Sequence, residues 1–127
     1  MSNYDPDRDY PRTQGHAALG ARLRRLSERI DREADQVYRR LGLPFEQRWF
    51  GVLNQLSLQP GISVGDLAER LGISHAAVSQ TRASLERQGL IESAPDPNDS
   101  RRSLLRLSGT GQALVAQLQP VWSALSA

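Results

Sequence analysis

The sequence predicts a mainly α fold with one small β-hairpin: a winged helix-turn-helix with long N-terminal and C-terminal helices. Three observations carry that expectation. Residues 63–89 hold two short amphipathic helix patterns joined by a tight glycine-containing turn. After Gly89 the helical period gives way to short β-like runs separated by a cluster of turn formers. On either side, residues 16–41 and 108–127 repeat apolar side chains at helical spacing.

The totals set limits on function. The 127 residues suffice for one compact domain, expected over 16–127 behind a tail at 1–15. A chain with 39% apolar and 24% charged residues has the make-up of a soluble globular protein. No apolar run reaches membrane-spanning length, so no membrane partner is expected. Zero cysteines exclude disulfides, thiol redox sensing and thiolate metal sites, and permit the cytoplasm, which is the expected location. The net charge is +2, and all 16 basic residues are arginine. Charge is unevenly spread: residues 1–62 carry ten Arg against eight acids, residues 63–107 six against six, and residues 108–127 none. Binding to a polyanion must therefore come from a few placed arginines, not from bulk charge.

In chain order, residues 1–15 are rich in Asp, Arg, Pro and Tyr without an apolar period, as in a flexible tail. His16–Leu41 reads as a helix in which Leu19, Leu23, Leu26, Ile30, Ala34, Val37 and Leu41 step close to a heptad seam. Such a seam packs in a bundle or against a partner chain. Gly42 and Pro44 end the helix. Pro44 suits the first turn of a second helix over Phe45–Leu58, with Phe45, Trp49, Leu53 and Leu56 along one side. This most aromatic stretch reads as core before ligand cage.

In the central pair, Val64, Leu67, Ala68 and Leu71 fall at i, i+3, i+4 and i+7. Ser63 is placed to cap this helix, with Asp66 positioned to answer its backbone N–H, as in a capping box. Gly72 suits a left-handed C-terminal residue. Ser74 caps the next helix, whose inward face is Ala77, Val78, Thr81 and Leu85. Its outward face carries His75, Ser79, Gln80, Arg82 and Arg87, with acids sparse until Glu86. A merely solvated face mixes both signs. Gln, Ser and Arg beside the small Ala76 suit base edges and thymine methyls, so this is the expected major-groove helix.

Leu90–Ala94 and Leu104–Leu107 are strand candidates, joined by the turn-rich loop Pro95–Arg102. A hairpin behind a recognition helix is a wing, and Arg101 and Arg102 near its tip are placed for a minor groove or for phosphates. Ser108 caps the last helix, with Leu114, Leu118, Val121, Trp122 and Leu125 as its apolar set and Pro120 expected to kink or restart it. An uncharged amphipathic helix with a Trp needs cover, and its seam most simply pairs with the first helix, within or between chains. Leu19, Leu23, Leu114, Leu118 and Trp122 are therefore the candidate dimerisation residues. His16 and His75 are the only histidines, and no carboxylate pair, phosphate loop or metal spacing accompanies them. Neither an enzyme nor a metal site nor a cofactor is expected.

From Leu67 to Gly111 the chain resembles the MarR (multiple antibiotic resistance regulator) family of winged helix-turn-helix transcription factors. The residues that carry the resemblance are LAERLGISHAAVSQTRASLERQGLI and DPNDSRRSLLRLSGTG. They look like the family's LAxxLxIxxxxVSxxVxxLExxGL and DxxDxRxxxLxLTxxG patterns, and agreement in element lengths extends over 16–127. The resemblance implies a homodimeric regulator on a palindromic operator, each subunit placing one recognition helix in the major groove of double-stranded DNA. It implies repression in many members, released by a small aromatic or phenolic effector. Position by position, Ser74, His75, Ser79 and Gln80 would face bases or phosphates, Asp99 would fix the wing, and Arg101 would reach the minor groove. Tyr38, Phe45, Trp49, Arg48 and His16 are candidate pocket residues, with core packing as the competing explanation.

Two departures from the pattern stand out. Arg82 occupies a position where the family usually has Val. Either its stem packs and its guanidinium emerges toward DNA, or the docking of this helix differs. The family also usually ends in a longer helical dimerisation element, whereas this chain stops at Ala127, which suggests an altered dimer or a fragment. Some relatives with a similar RWF-containing second helix are fused to an acetyltransferase. The alternative function is therefore a protein-interaction or regulatory module, such as the N-terminal domain of such a fusion.

Overall fold

The computed structural model describes residues 15–126. The tail expected at 1–15 lies, Gly15 apart, outside the described residues. His16–Arg40 form α1, a helix of 25 residues. A 3₁₀ turn at Gln47–Trp49 runs into α2, Phe50–Leu58. The short strand β1, Ile62–Ser63, precedes α3, Val64–Leu71, and α4, His75–Arg87. Strands β2, Ile91–Asp96, and β3, Asp99–Leu107, make the wing, and α5 is Gly109–Ser126.

The central helices end where their residues dictate. Ser63 Oγ accepts the Asp66 N–H and Ser74 Oγ accepts the Ala77 N–H, both at 3.1 Å. Gly72 closes α3 at φ 65°, where a side chain would be strained. The second helix starts later than its sequence suggests. Phe45 lies before it, its N–H on the Leu43 carbonyl at 2.9 Å, and Glu46 is extended. The cause is tertiary: Asp35 Oδ1 on α1 takes the Gln47 N–H at 2.6 Å, and the chain coils only after that anchor.

The sheet has the order β1-β3-β2, all antiparallel, with Ile62 opposite Leu105 and Ser63 opposite Leu104. β1 was not among the expected strands. The wing strands are also longer than expected, with only Pro97 and Asn98 between them. The outer half of the hairpin has no core beneath it to impose alternation, so its polar residues hide a regular ladder. Asp96 Oδ1 closes the turn by accepting the Asn98 N–H at 2.8 Å.

Leu53, Ile62, Leu67, Val78, Leu85, Leu105 and Leu118 are completely or almost completely buried. Edge-to-face rings extend this core, with centroids at 4.6 Å for Tyr38–Phe45, 5.7 Å for Phe45–Trp122 and 4.8 Å for Phe50–Trp122. This corrects the expected seam. Leu114, Leu118 and Trp122 are buried in their own chain, because α5 packs on α2 and β3. They are not available to a second copy. α5 also runs through Pro120 as one helix. Along α1 and its cap the reverse holds: Leu19, Leu23, Leu26, Ile30, Val37 and the cap residue Leu41 are between 48% and 57% exposed. α1 joins the main core cluster at Ala34 and Tyr38, toward its C-terminal end, and Ala18 near its start is fully buried as well.

The junction of α5 with the end of α4 leaves no spare space. The Ser108 N–H bonds the Leu90 carbonyl at 3.0 Å, and the Ser108 hydroxyl donates to the Gly89 carbonyl at 2.6 Å. Gly111 donates its N–H to Ser108 Oγ at 3.0 Å, and a Cβ on it would stand 2.0 Å from the Leu90 carbonyl oxygen. Gly111→Ala should therefore cost about 1–3 kcal/mol of stability, read as a lower urea midpoint.

Candidate nucleic-acid interface

What α4 shows follows from what it buries. Val78, Ser84 and Leu85 face inward. At about 100° per residue that leaves His75, Ser79, Gln80 and Arg87 outward, and all four are exposed, with Ala76 and Ala83 among them. Ser74 is exposed too, but its hydroxyl is committed to the α4 cap.

An open cleft of about 630 Å³ lies between α4, α3 and the wing. His75 and Arg82 line it from α4, Arg101 and Arg102 from β3, and Asp66 and Glu69 from α3. The His75 ring lies over Gly65, where a Cβ would be 3.5 Å from His75 Cε1. Ser79 and Gln80 stand on the exposed face of α4 but do not line the cleft.

Each arginine on the cleft carries its own acid. Arg82 Nε meets Glu86 Oε1 at 2.7 Å, Arg101 Nε meets Asp99 Oδ1 at 3.2 Å, and Arg102 Nη2 meets Asp66 Oδ2 at 3.1 Å. Arg102 Nη2 also donates to Ser63 Oγ at 2.7 Å, so it ties the wing to the start of α3. The two arginines expected near the wing tip therefore differ in setting. Arg101 is 90% exposed, while Arg102 is held from within. Exposed pairs of this kind contribute little in water, so they orient the side chains more than they stabilise the fold. Of the two postures expected for Arg82, the structure shows the packed stem. Its stem is partly covered, and Glu86 holds its guanidinium along the helix beside the cleft.

Asp99 works at the base of the turn. Its Oδ1 accepts the Arg101 backbone N–H at 3.0 Å as well as the guanidinium. The backbone bond first, and the side-chain bond second, hold its carboxyl below the usual value of 3.8.

Asp66 as partner of Arg102 was missed by sequence reasoning. The capping-box spacing placed it in the first turn of α3, but its cation lies 36 residues further on, beyond any local pattern. Ser84 was missed as well. It is a buried serine on the inward face of α4 whose Oγ accepts Arg48 Nη2–H at 3.0 Å and Trp49 Nε1–H at 3.2 Å.

The expected effector pocket does not form from its candidate residues. Tyr38, Phe45 and Trp49 are packed core. Arg48 bonds Glu46 and Ser84, and His16 lies at the far end of α1, roughly 33 Å from Tyr38 at the helical rise. A cleft of about 440 Å³ opens elsewhere, between α2, β3 and α5, lined by Leu56, Pro60, Leu107 and Val115 with Arg106 and Gln112. Among the described residues no cluster of His, Cys, Asp or Glu is placed to hold a metal, and no helix is long and apolar enough to cross a membrane.

Comparison with known proteins supplies independent findings. The MarR family profile matches residues 41–102. No curated protein matches the chain in sequence. Among solved structures, BpsR of Bordetella bronchiseptica, described by the regulation of its DNA binding by 6-hydroxynicotinic acid, superposes with a TM-score of 0.68 at 27% identity, covering 85% of this chain and 76% of that one. A mutant MarR from E. coli complexed with operator DNA superposes with a TM-score of 0.65 at 25% identity, covering 79% and 70%. A MepR–DNA complex from S. aureus gives 0.61 at 25% identity, covering 82% and 84%.

The wing turn has a definite pH signature. The Asp99 carboxyl titrates lower in the folded chain than in the unfolded one, so its bond stabilises the turn above 3.8 and is lost as pH falls through the lower folded value. The Arg101 amide should shift in NMR with a midpoint below 3.8, and Asp99→Asn should abolish that titration.

Proposed function

Because this chain belongs to the MarR family of winged helix-turn-helix proteins, we propose that it is a DNA-binding transcriptional regulator. In this reading it works in the cytoplasm as a homodimer on a palindromic operator, as a repressor and not as an enzyme. The observation that carries it is the shared cleft: the start of α4 and the wing arginines border one open surface, with Ser79 and Gln80 exposed alongside. That arrangement suits a helix laid in a major groove with a wing beside it. The MarR and MepR complexes with DNA support the same reading.

The homodimer rests on α1. A helix with five large apolar side chains about half exposed, extended by Leu41 at its cap, needs cover, and a symmetric pair of copies is the commonest cover for such a stripe. Leu19 and Leu23 keep their proposed place in that contact. Release of DNA by a small aromatic compound is the further part of the proposal, for which the 440 Å³ cleft has sufficient volume.

A second reading draws on the same open stripe and on the even charge balance of residues 63–107: a module that contacts another protein, as in a fusion with an acetyltransferase. Capture of a partner without duplex affinity would favour it.

Gel shift with DNA selected from the source genome is the direct test. Sequence-preferring binding that weakens with salt is expected, and its absence at low salt sinks the proposal. Gln80→Ala should cost about 1–3 kcal/mol of discrimination at one base position. Leu23→Glu should give a folded monomer by sedimentation, with affinity for the palindrome down about a hundredfold or more and half-site affinity retained.

A further inference from the structure

Ser84 is the one buried polar side chain on the inward face of α4; its neighbours there are Ala77, Val78, Thr81 and Leu85. Apolar contacts resist separation, but they are non-directional and leave roll and sliding weakly defined. Hydrogen bonds define both. The two lone pairs of Ser84 Oγ receive Arg48 Nη2–H at 3.0 Å and Trp49 Nε1–H at 3.2 Å, from consecutive residues of the 3₁₀ turn. That turn is held from its other side by α1. Asp35 Oδ1 accepts the Gln47 N–H at 2.6 Å, and the Tyr38 hydroxyl donates to Gln47 Oε1 at 3.1 Å. Three consecutive residues thus bridge α1 and α4 by directional bonds.

We infer that Ser84 is a positioning residue: through the 3₁₀ turn it fixes the roll and axial position of α4 relative to α1, and so sets the half-site spacing that the dimer accepts. The inference rests on the DNA-binding dimer proposed above. α1 carries the contact between copies and α4 the contact with bases, so the polar bridge between them sets the distance from one reading helix to the other. Ser84 touches neither DNA nor the second copy.

The test uses the full chain and the duplex that the wild type selects, remade with its centre lengthened or shortened by one base pair. Wild type should prefer one spacing. Ser84→Ala should bind that spacing about tenfold more weakly, the scale of one or two lost hydrogen bonds, and should discriminate less among the three spacings. Half-site affinity and salt slope should stay at wild-type values. Arg48→Gln, on a partly exposed side chain, removes one donor without emptying core space and should flatten the spacing profile partway. If Ser84→Ala does not fold, Arg48→Gln carries the test. A profile unchanged in the folded variants, or weakened equally at every spacing together with a lower melting temperature, overturns the inference while leaving DNA binding intact. A wild type with no preference for any duplex overturns the functional reading, and this inference with it.

Discussion

Val78 and Leu85, wholly buried on one side of α4, decide which side chains the molecule presents. A helix has a fixed angular period, so seating these two turns His75, Ser79 and Gln80 to solvent. The wing is hung from the same seat. The Leu85 carbonyl accepts the Leu90 N–H at 3.0 Å, and the Leu90 carbonyl accepts the Ser108 N–H at 3.0 Å. The last turn of α4, the start of β2 and the start of α5 are therefore joined by successive backbone bonds. Loss of packing at Leu85 would disturb the helix and the wing together.

α3 and α4 were legible because their serine caps, turn and apolar period agreed with the packing. Ser63 and Ser74 cap, Gly72 takes a positive φ, and the apolar period matches the buried face. Where a distant residue intervenes, the local pattern fails. Asp35 claims the Gln47 N–H from 12 residues away and delays α2. β1 is two residues long, too short to show a period, and exists because β3 pairs with it. Most of the outward face of α4 was readable, with Arg82 more covered than expected, whereas the acids that answer Arg82 on α4 and Arg102 on the wing were not. Glu86 lies on the same helix, but Asp66 arrives from α3.

The two flanking helices show what periodicity leaves open: it marks a face as apolar without saying what covers it. α1 and α5 carry comparable stripes. In α5 the stripe is closed by α2 and β3, while in α1 it stays open over most of its length. Composition separates them. Residues 108–127 hold no charge, as suits a helix lodged against its own chain, whereas α1 is dense in Arg, Asp and Glu on its remaining faces. Those charges keep the helix in water although its apolar seam stays open.

The pairing of Arg82, Arg101 and Arg102 with acids at 2.7 to 3.2 Å has a consequence for encounter. A cation joined to an anion at that separation acts, from about a Debye length away, as a dipole and no longer as a monopole, and its field decays more steeply. A polyanion passing at that range would feel little pull. On the proposed reading, arrival would be governed by ordinary diffusion, and selection among duplexes would begin only at touching distance, once phosphate oxygens compete with the carboxylates for the guanidinium groups.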